Sequence, residues 1–516
     1  MKGIFNITWK ITFLSTLIFL SGCETTEKKV KENKPEVSRA DKPNIIVIYA
    51  DDLGFGDLSS YGATELKTPN FDRIANEGIR FTNGYATSAT CTPSRYALLS
   101  GEYPWRNKRA QILPGNAPLL FDITKQTLPS MLQGAGYKTA VTGKWHLGLG
   151  GEELDWNDEV TPGPNEIGFD YSYIMASTND RVPTVYVENH KVVRLDPNDP
   201  IEVSYKENFP GEPTGKGNPE MLKIHPSHGH NMSIHNGISR IGYMRGGKSA
   251  LSIDEHMADT VLARSQMFIR ENKDNPFFLF YSLHQPHVPR VPHPRFVGKS
   301  GMGPRGDAIL EADWCVGQLL NTLDRFGIAD NTIVVFSSDN GPVLDDGYKD
   351  DANEKLGKHT PWGPLRGGKY SLFDAGAHVP FMVRWKGTIE PGVSDALVCQ
   401  MDLLASFAKL TKQENKSEDS QDILNALTGQ SNTGRDNLVI EATGRTCYRE
   451  GNWIMIPPHK GRPINNKWVN IETGNANEYQ LYNVAEDPGQ KKNLAEKFPE
   501  KVKSMEQAMN AIKGKA

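Results

Sequence analysis

The chain has 516 residues, enough for one large domain with a smaller one beside it. Its 58 Lys and Arg stand against 62 Asp and Glu, a formal net charge of −4 at pH 7, so there is no basic field for nucleic acid and no such partner is expected. The 48 Gly and 33 Pro are dispersed and signal loops rather than disorder, and no internal repeat is present.

The N-terminus reads as an address. Lys2 and Lys10 precede or flank the apolar stretch Ile11 to Leu20, which is too short to span a bilayer stably and reads as the core of a signal peptide. It ends in Leu20-Ser21-Gly22-Cys23, which resembles a bacterial lipobox. That pattern predicts a lipoprotein signal peptide over 1–22, lipidation of Cys23, and a membrane anchor in the cell envelope. The expected location is the outer membrane, facing the periplasm or the cell surface. An ordinary secretory signal with a chance cysteine is the plainer alternative. Residues 23–42 are rich in Lys and Glu, bury too little to fold, and read as a flexible tether.

The folded chain begins at Pro43. Asn44 to Tyr49 is a continuous apolar run, as in a strand buried on both faces, and it leads into Asp51-Asp52. Cys91-Thr92-Pro93-Ser94-Arg95-Tyr96-Ala97-Leu98-Leu99-Ser100-Gly101 then places a cysteine at a loop-to-helix junction. Pro93 suits the first helical position, Leu98 and Leu99 supply an apolar face, and Gly101 can close the helix. Cys91 is thus expected at a helix N-terminus, where backbone N–H groups favour anions. A buried free cysteine before a short helix is the plainer reading.

Further strands are expected at Lys138–Thr142, Pro276–Leu283 and Thr332–Ser337, and helices at Leu128–Gln133, His256–Glu271 and Ala308–Phe326. Strands alternating with helices predict an α/β domain over 43–395, a large, mostly parallel mixed sheet flanked by helices. Beyond it the strands shorten and Glu414 to Asp422 is polar. A smaller C-terminal α+β subdomain is expected over 396–516, with a terminal helix near Pro499 to Lys513.

In four segments polar chemistry follows the C-terminal end of a strand, the edge where open α/β sheets bind ligands. Residues from 51 to 340 can therefore meet at one site. Asp51, Asp52, Asp339 and Asn340 offer oxygen ligands. Adjacent carboxylates stay ionised only beside positive charge, and an all-oxygen set suits Ca²⁺ or Mg²⁺. Read alone, these are also ordinary turn residues. Lys144 and His146 are two apart, on one side of an extended segment, and suit the binding of an anion. Cys315, Cys399 and Cys447 show no C-x-x-C spacing, so neither a zinc site nor a disulfide framework is indicated, and Cys315 reads as a core residue.

The run Cys91-x-Pro93-Ser94-Arg95 followed by Leu98-Leu99-x-Gly101 resembles the signature of the type I sulfatases of the alkaline phosphatase superfamily. The resemblance implies an alkaline-phosphatase-like sulfatase fold and a sulfuric ester hydrolase. It implies that a formylglycine-generating or anaerobic sulfatase-maturating enzyme oxidises Cys91 to Cα-formylglycine (3-oxoalanine). It implies a Ca²⁺ ion, with Mg²⁺ the lesser alternative, on Asp51, Asp52, Cys91, Asp339 and Asn340. Gly143-Lys144-Trp145-His146-Leu147-Gly148 looks like the family's second signature, and Pro286-His287-Val288-Pro289 like its Pro-His-x-Pro element. By that likeness Arg95 reaches the aldehyde and the metal shell, Lys144, His146 and Lys369 bind sulfate, and His287 protonates the leaving oxygen. Around Lys369 the segment departs mildly, reading Phe373-Asp374-Ala375-Gly376 where the family has two glycines.

Polar insertions at 177–182 and 225–248 lie between these motifs, and long loops at a catalytic edge set specificity. Asp180, Arg181, His228 and His284 are the candidate substrate contacts, with solvated loops as the plainer reading. A lipoprotein of this family implies degradation of a sulfated oligo- or polysaccharide, either algal (ulvan, galactan or fucan) or glycosaminoglycan and mucin. Two rival readings remain: a phosphodiesterase or phosphonate monoester hydrolase of the same superfamily, and a catalytically silent glycan-binding lipoprotein with Cys91 unmodified.

Overall fold

The computed structural model describes residues 42–514. The predicted signal peptide, Cys23 and nearly all of the tether lie outside the described residues. Six strands come first: β1 (Asn44–Ala50), β2 (Ile79–Tyr85), β3 (Lys138–Lys144), β4 (Tyr171–Met175), β5 (Tyr186–Glu188) and β6 (Lys191–Val192). An insertion carries four short ones, β7 (Glu202–Ser204), β8 (Ile234–His235), β9 (Ile238–Ser239) and β10 (Tyr243–Arg245). Then follow β11 (Phe277–Ser282), β12 (Thr332–Ser338), β13 (Phe381–Trp385) and β14 (Gly392–Cys399), and lastly β15 (Asn437–Ala442), β16 (Arg445–Glu450), β17 (Trp453–Ile456) and β18 (Gln480–Asn483). The helices are α1 (Pro69–Asn76), α2 (Cys91–Ser100), α3 (Leu128–Gly134), α4 (Met257–Asn272), α5 (Gly303–Arg325), α6 (Leu403–Thr411), α7 (Leu424–Leu427) and α8 (Pro499–Lys513).

Ten strands form one sheet in the order β14-β2-β13-β12-β1-β11-β3-β4-β5-β6. Its centre, β12-β1-β11-β3-β4, is parallel throughout. β13 enters antiparallel between β12 and β2, and β5 and β6 add an antiparallel edge. The alternation of side chains along a strand builds a core on each face. Ile45, Val47 and Tyr49 of β1 join α2, α3 and α6 through Leu98, Leu99, Leu128, Leu132 and Phe407. Ile46, Ile48 and Ala50 face the other way, onto α1, α4 and α5 through Ile74, Leu262, Val316 and Leu320. Cys315 is fully buried in that second core.

The four-stranded antiparallel sheet β15-β16-β17-β18 makes the C-terminal part, with Val502, Met505 and Met509 of α8 in its core. β14 runs through the boundary expected at 395/396, because Leu397 to Cys399 pair with β2 of the large sheet and α6 packs on its first core. The small sheet itself starts at Asn437. No helix among the described residues is long and apolar enough to cross a membrane.

One buried carboxyl sets a pH signature. Glu311 of α5 is 2% exposed and accepts hydrogen bonds from Gln285 Nε2 at 3.0 Å and the His293 N–H at 2.9 Å, tying down the 284–293 segment. Burial pushes its pKa up to about 7. The unfolded carboxyl titrates near ~4.3, so between the two values the folded state holds the extra proton and stability falls as pH rises, by on the order of 3 kcal/mol. Denaturant melts between about pH 5 and about pH 8 should lose this component in Glu311→Gln. Parallel profiles for the two proteins would contradict the assignment.

Candidate active site

β1 and β12 run parallel with Ala50 opposite Ser338, so Asp51-Asp52 and Asp339-Asn340 emerge side by side at the C-terminal edge. Asp52 turns the chain with φ 62°. Its N–H donates to Asp339 Oδ1 at 3.1 Å, and Asn340 Nδ2 donates to Asp52 Oδ1 at 2.7 Å. All four residues are buried.

Helix α2 starts at Cys91, with extended Thr90 before it and left-handed Gly101 (φ 71°) after it. Pro93 is the third helical residue, not the first; the N–H it lacks would have had no helical partner there either. The helix is buried on every side rather than on one apolar face. Arg95 lies inside with 0% exposure. Its guanidinium donates twice to Asp339 Oδ2, at 3.0 and 2.8 Å, and to Ser282 Oγ at 2.6 Å, and it lies over the ring of Tyr49. A buried arginine is tolerable only with such partners, and removing one costs ~3–5 kcal/mol.

Lys144 ends β3 and reaches Asp51 Oδ2 at 2.6 Å. The preceding Gly143 has φ 99°, and a Cβ there would meet the Ser282 carbonyl oxygen at 1.9 Å, so the turn requires glycine. His146 lies beyond the strand end with φ 56°. A kink, not strand alternation, therefore aims its Nδ1 at Cys91 Sγ, 3.4 Å away, while Nε2 meets the Leu113 carbonyl at 2.9 Å. From the far side Lys369 Nζ bridges Asp52 Oδ2 and Asp346 Oδ2, each at 2.8 Å. His287 Nε2 lies 3.8 Å from Asp52 Oδ2, and its Nδ1–H donates to the Val288 carbonyl at 2.6 Å.

Charge follows from this packing. Burial, aided by Lys144, holds His146 well below the usual imidazole range, and burial with Lys369 and Lys144 does the same to His287. Both rings are neutral at pH 7. Burial opposes the charge on Lys369, but Asp346 and Asp52 win and keep it protonated. Burial raises the Cys91 thiol against the pull of Lys144 and Lys369. As a cysteine it is a poor nucleophile, since the thiolate is the reactive form.

The residues fit a hard cation. Asp51 Oδ1 and Asn340 Oδ1 are buried acceptors with no hydrogen-bond donor. Burial, with Asp339 and Asp52 close by, pushes the Asp51 carboxyl well above its usual range despite Lys144. A positive ion at these oxygens would relieve both conditions. Among the described residues, Asp51, Asp52 and His287 bring their ligand atoms within 4.8 Å of one another. Asp339 accepts from Arg95 at one oxygen and from the Asp52 N–H at the other, which leaves each oxygen a further lone pair, and Cys91 Sγ faces His146.

The expected substrate contacts are placed differently from one another. Asp180 is buried and accepts from His230 Nε2 at 2.9 Å and from Arg181 Nη1 at 2.9 Å. Arg181 is near enough to depress His146 further. His284 is buried beside β11, and burial brings it down to about 4. His228 sits farther out, stacked on Trp468 at 4.8 Å. Asp346, Tyr370, His230 and Trp468 were not legible as site residues. The available signals were the second Asp-Asp pair, Asp345-Asp346, and the place of His230 in the 225–248 insertion.

Residues 43–413 match the family model described as Sulfatase. The chain belongs to the sulfatase family. This sulfatase is 48% identical to N-acetylgalactosamine-6-O-sulfatase of Bacteroides thetaiotaomicron over 98% of its own length and 99% of the relative's. It is 32% identical to rat (Rattus norvegicus) steryl-sulfatase, over 75% of its length and 70% of that enzyme. Among solved structures it resembles a Bacteroides thetaiotaomicron protein described under the metabolism of multiple glycosaminoglycans, with a TM-score of 0.91 and 50% identity, covering 92% of this chain and 100% of that one. The large mixed sheet with its small antiparallel companion is the sulfatase architecture, and the chain is a sulfuric ester hydrolase.

Proposed function

We propose that this sulfatase releases sulfate from the 6-position of an N-acetylgalactosamine residue in a glycosaminoglycan-type saccharide. Formylglycine derived from Cys91 and one bound Ca²⁺ serve the reaction. The observation that carries the reading is the convergence of Lys144, Lys369 and His287 on Asp51 and Asp52, with His146 on Cys91 at the buried head of α2. The 48% relative's named substrate supplies the sugar.

Asp51, Asp52, Asp339 and Asn340 would hold the ion. When present, Ca²⁺ and the formylglycine supply charge neutralisation for sulfate oxygens and an oxygen nucleophile. The chain's own residues do the rest. Lys144 and Lys369 are fixed cations already paired to carboxylates, so they need no reorganisation to face a sulfate. Arg95 locks α2 to Asp339 and so sets where residue 91 points. Because Nδ1 of His287 is committed to Val288, Nε2 is the nitrogen free to hold a proton. An arriving sulfate favours the charged ring, which then protonates the departing sugar oxygen.

Lipidation at Cys23 and attachment to the outer membrane complete the proposal, resting on the lipobox-like Leu20-Ser21-Gly22-Cys23. The test is sulfate release from regioisomers of sulfated N-acetylgalactosamine, galactose and N-acetylglucosamine, with protein matured by a formylglycine-forming enzyme. Release from the 6-sulfate of N-acetylgalactosamine well above its isomers is expected. Cleavage of phosphate diesters or phosphonates in preference to every sulfated sugar would overturn the reading.

A further inference from the structure

A cavity of about 560 Å³ opens beside the catalytic edge, with Asp346 and Tyr370 on its inner wall and His228 on its rim. Its outer wall comes from the C-terminal part. Arg445 begins β16, and Lys460 and Arg462 belong to the loop over 457–479 between β17 and β18. That loop folds back onto the insertion, where Trp468 stacks on His228.

The charge of Arg445 faces the buried Glu441 carboxyl, while those of Lys460 and Arg462 are uncompensated. Arg445 gives its donors to neutral oxygens only, on Ala442, Thr473, Asn475, Tyr370 and Thr443. Lys460 and Arg462 are exposed, and neither side chain has a hydrogen bond or ion pair among the described residues. The one carboxylate on the wall, Asp346, is already matched by Lys369. Burial keeps His228 neutral. Two unmatched cations, with Arg445 beside them, therefore line a cavity whose wall includes Tyr370, the residue after Lys369. Arg445 is tied to the catalytic side directly, through its bond to the Tyr370 carbonyl, and the Tyr370 N–H in turn bonds Ala89, two residues before Cys91.

We propose that this cavity holds a second anionic group of the substrate, a carboxylate or a second sulfate on the sugar next to the one being desulfated. The inference rests on the carbohydrate-sulfatase reading above and extends it to an oligosaccharide with repeated negative charge. Arg445 anchors the wall, and Lys460 and Arg462 make the contact. Their guanidinium and ammonium groups lose no internal partner when the anion arrives, so the gain is not offset by a broken ion pair.

The test compares three substrates on the matured protein: the sulfated monosaccharide, a disaccharide with a uronic acid beside it, and a disaccharide with a second sulfate on a neutral neighbour. The native protein should favour one of the two charged disaccharides over the other and over the monosaccharide, which identifies the anion as carboxylate or sulfate. Lys460→Ala with Arg462→Ala should raise KM for that disaccharide by about tenfold, leaving kcat and the monosaccharide rate near native, and Arg462→Lys should recover part of the loss. Higher salt should raise the same KM in the native protein and little in the double variant. Equal shifts on all three substrates, or no native preference for a charged neighbour, would overturn the inference while leaving the sulfatase reading intact. No release from any of the three would overturn that reading, and this inference with it.

Discussion

Cys91→Ala is expected to release no measurable sulfate from any saccharide and yet to fold like the native protein. Cys91 is 2% exposed, and its Sγ touches only the His146 ring among polar partners. Trimming one sulfur from this site costs ~1 kcal/mol, small beside the stability of a domain. The chemical loss is of another order. Alanine carries no group that can be oxidised to an aldehyde, and removal of a covalent nucleophile costs on the order of a millionfold in kcat. Cys91→Ser separates position from chemistry, since it restores a hydroxyl at the same place. In a host that modifies only cysteine it should be as inactive as the alanine variant. Circular dichroism and thermal melts check the fold, and sulfate release checks the function. Retained turnover in Cys91→Ala would remove residue 91 from the mechanism.

Asp51→Asn is expected to lower kcat/KM about a thousandfold or more, which corresponds to several kcal/mol of lost charge stabilisation. Asp51 Oδ1, like Asn340 Oδ1, is a buried acceptor with no donor, and Oδ2 holds Lys144. The amide weakens any ion at the first oxygen and leaves a buried lysine without its nearest carboxylate. A stability loss of ~3–5 kcal/mol follows from the second effect alone. Calcium distinguishes the two. Added Ca²⁺ should raise the melting temperature of the native protein, because a ligand that binds only the folded state stabilises it, and should do little for the variant. A chelator should reproduce the native loss of activity without mutation. If Ca²⁺ shifts both proteins equally, Asp51 is not a ligand.

The sequence carried the fold's centre because that centre is physically extreme. β1, β11 and β12 are buried on both faces, so their apolar runs stand out against any neighbour. The motifs that follow them are legible because parallel pairing brings strand ends to one edge. β2 was not legible: in Ile79–Tyr85 inward residues alternate with half-buried Arg80, Thr82 and Asn83. β13 and β14 escaped for a related reason, since their place is decided by pairing with β2, far away in the chain. The site divides the same way. Lys144, Lys369, His146 and His287 meet around residue 91, yet the direction of His146 comes from a left-handed turn that spacing does not encode. Asp346 is drawn in by Lys369 and the Tyr370 hydroxyl, 23 and 24 residues on, and Trp468 by the fold of the C-terminal loop over His228.

The most direct measurement is the fraction of Cys91 converted to formylglycine, read by mass spectrometry of its peptide, against sulfate release in the same preparations. Maturation can be varied by co-expressing the modifying enzyme at different levels. The rate should be proportional to the converted fraction, with none at zero conversion. Sulfate release from protein whose Cys91 is entirely unmodified would contradict this dependence.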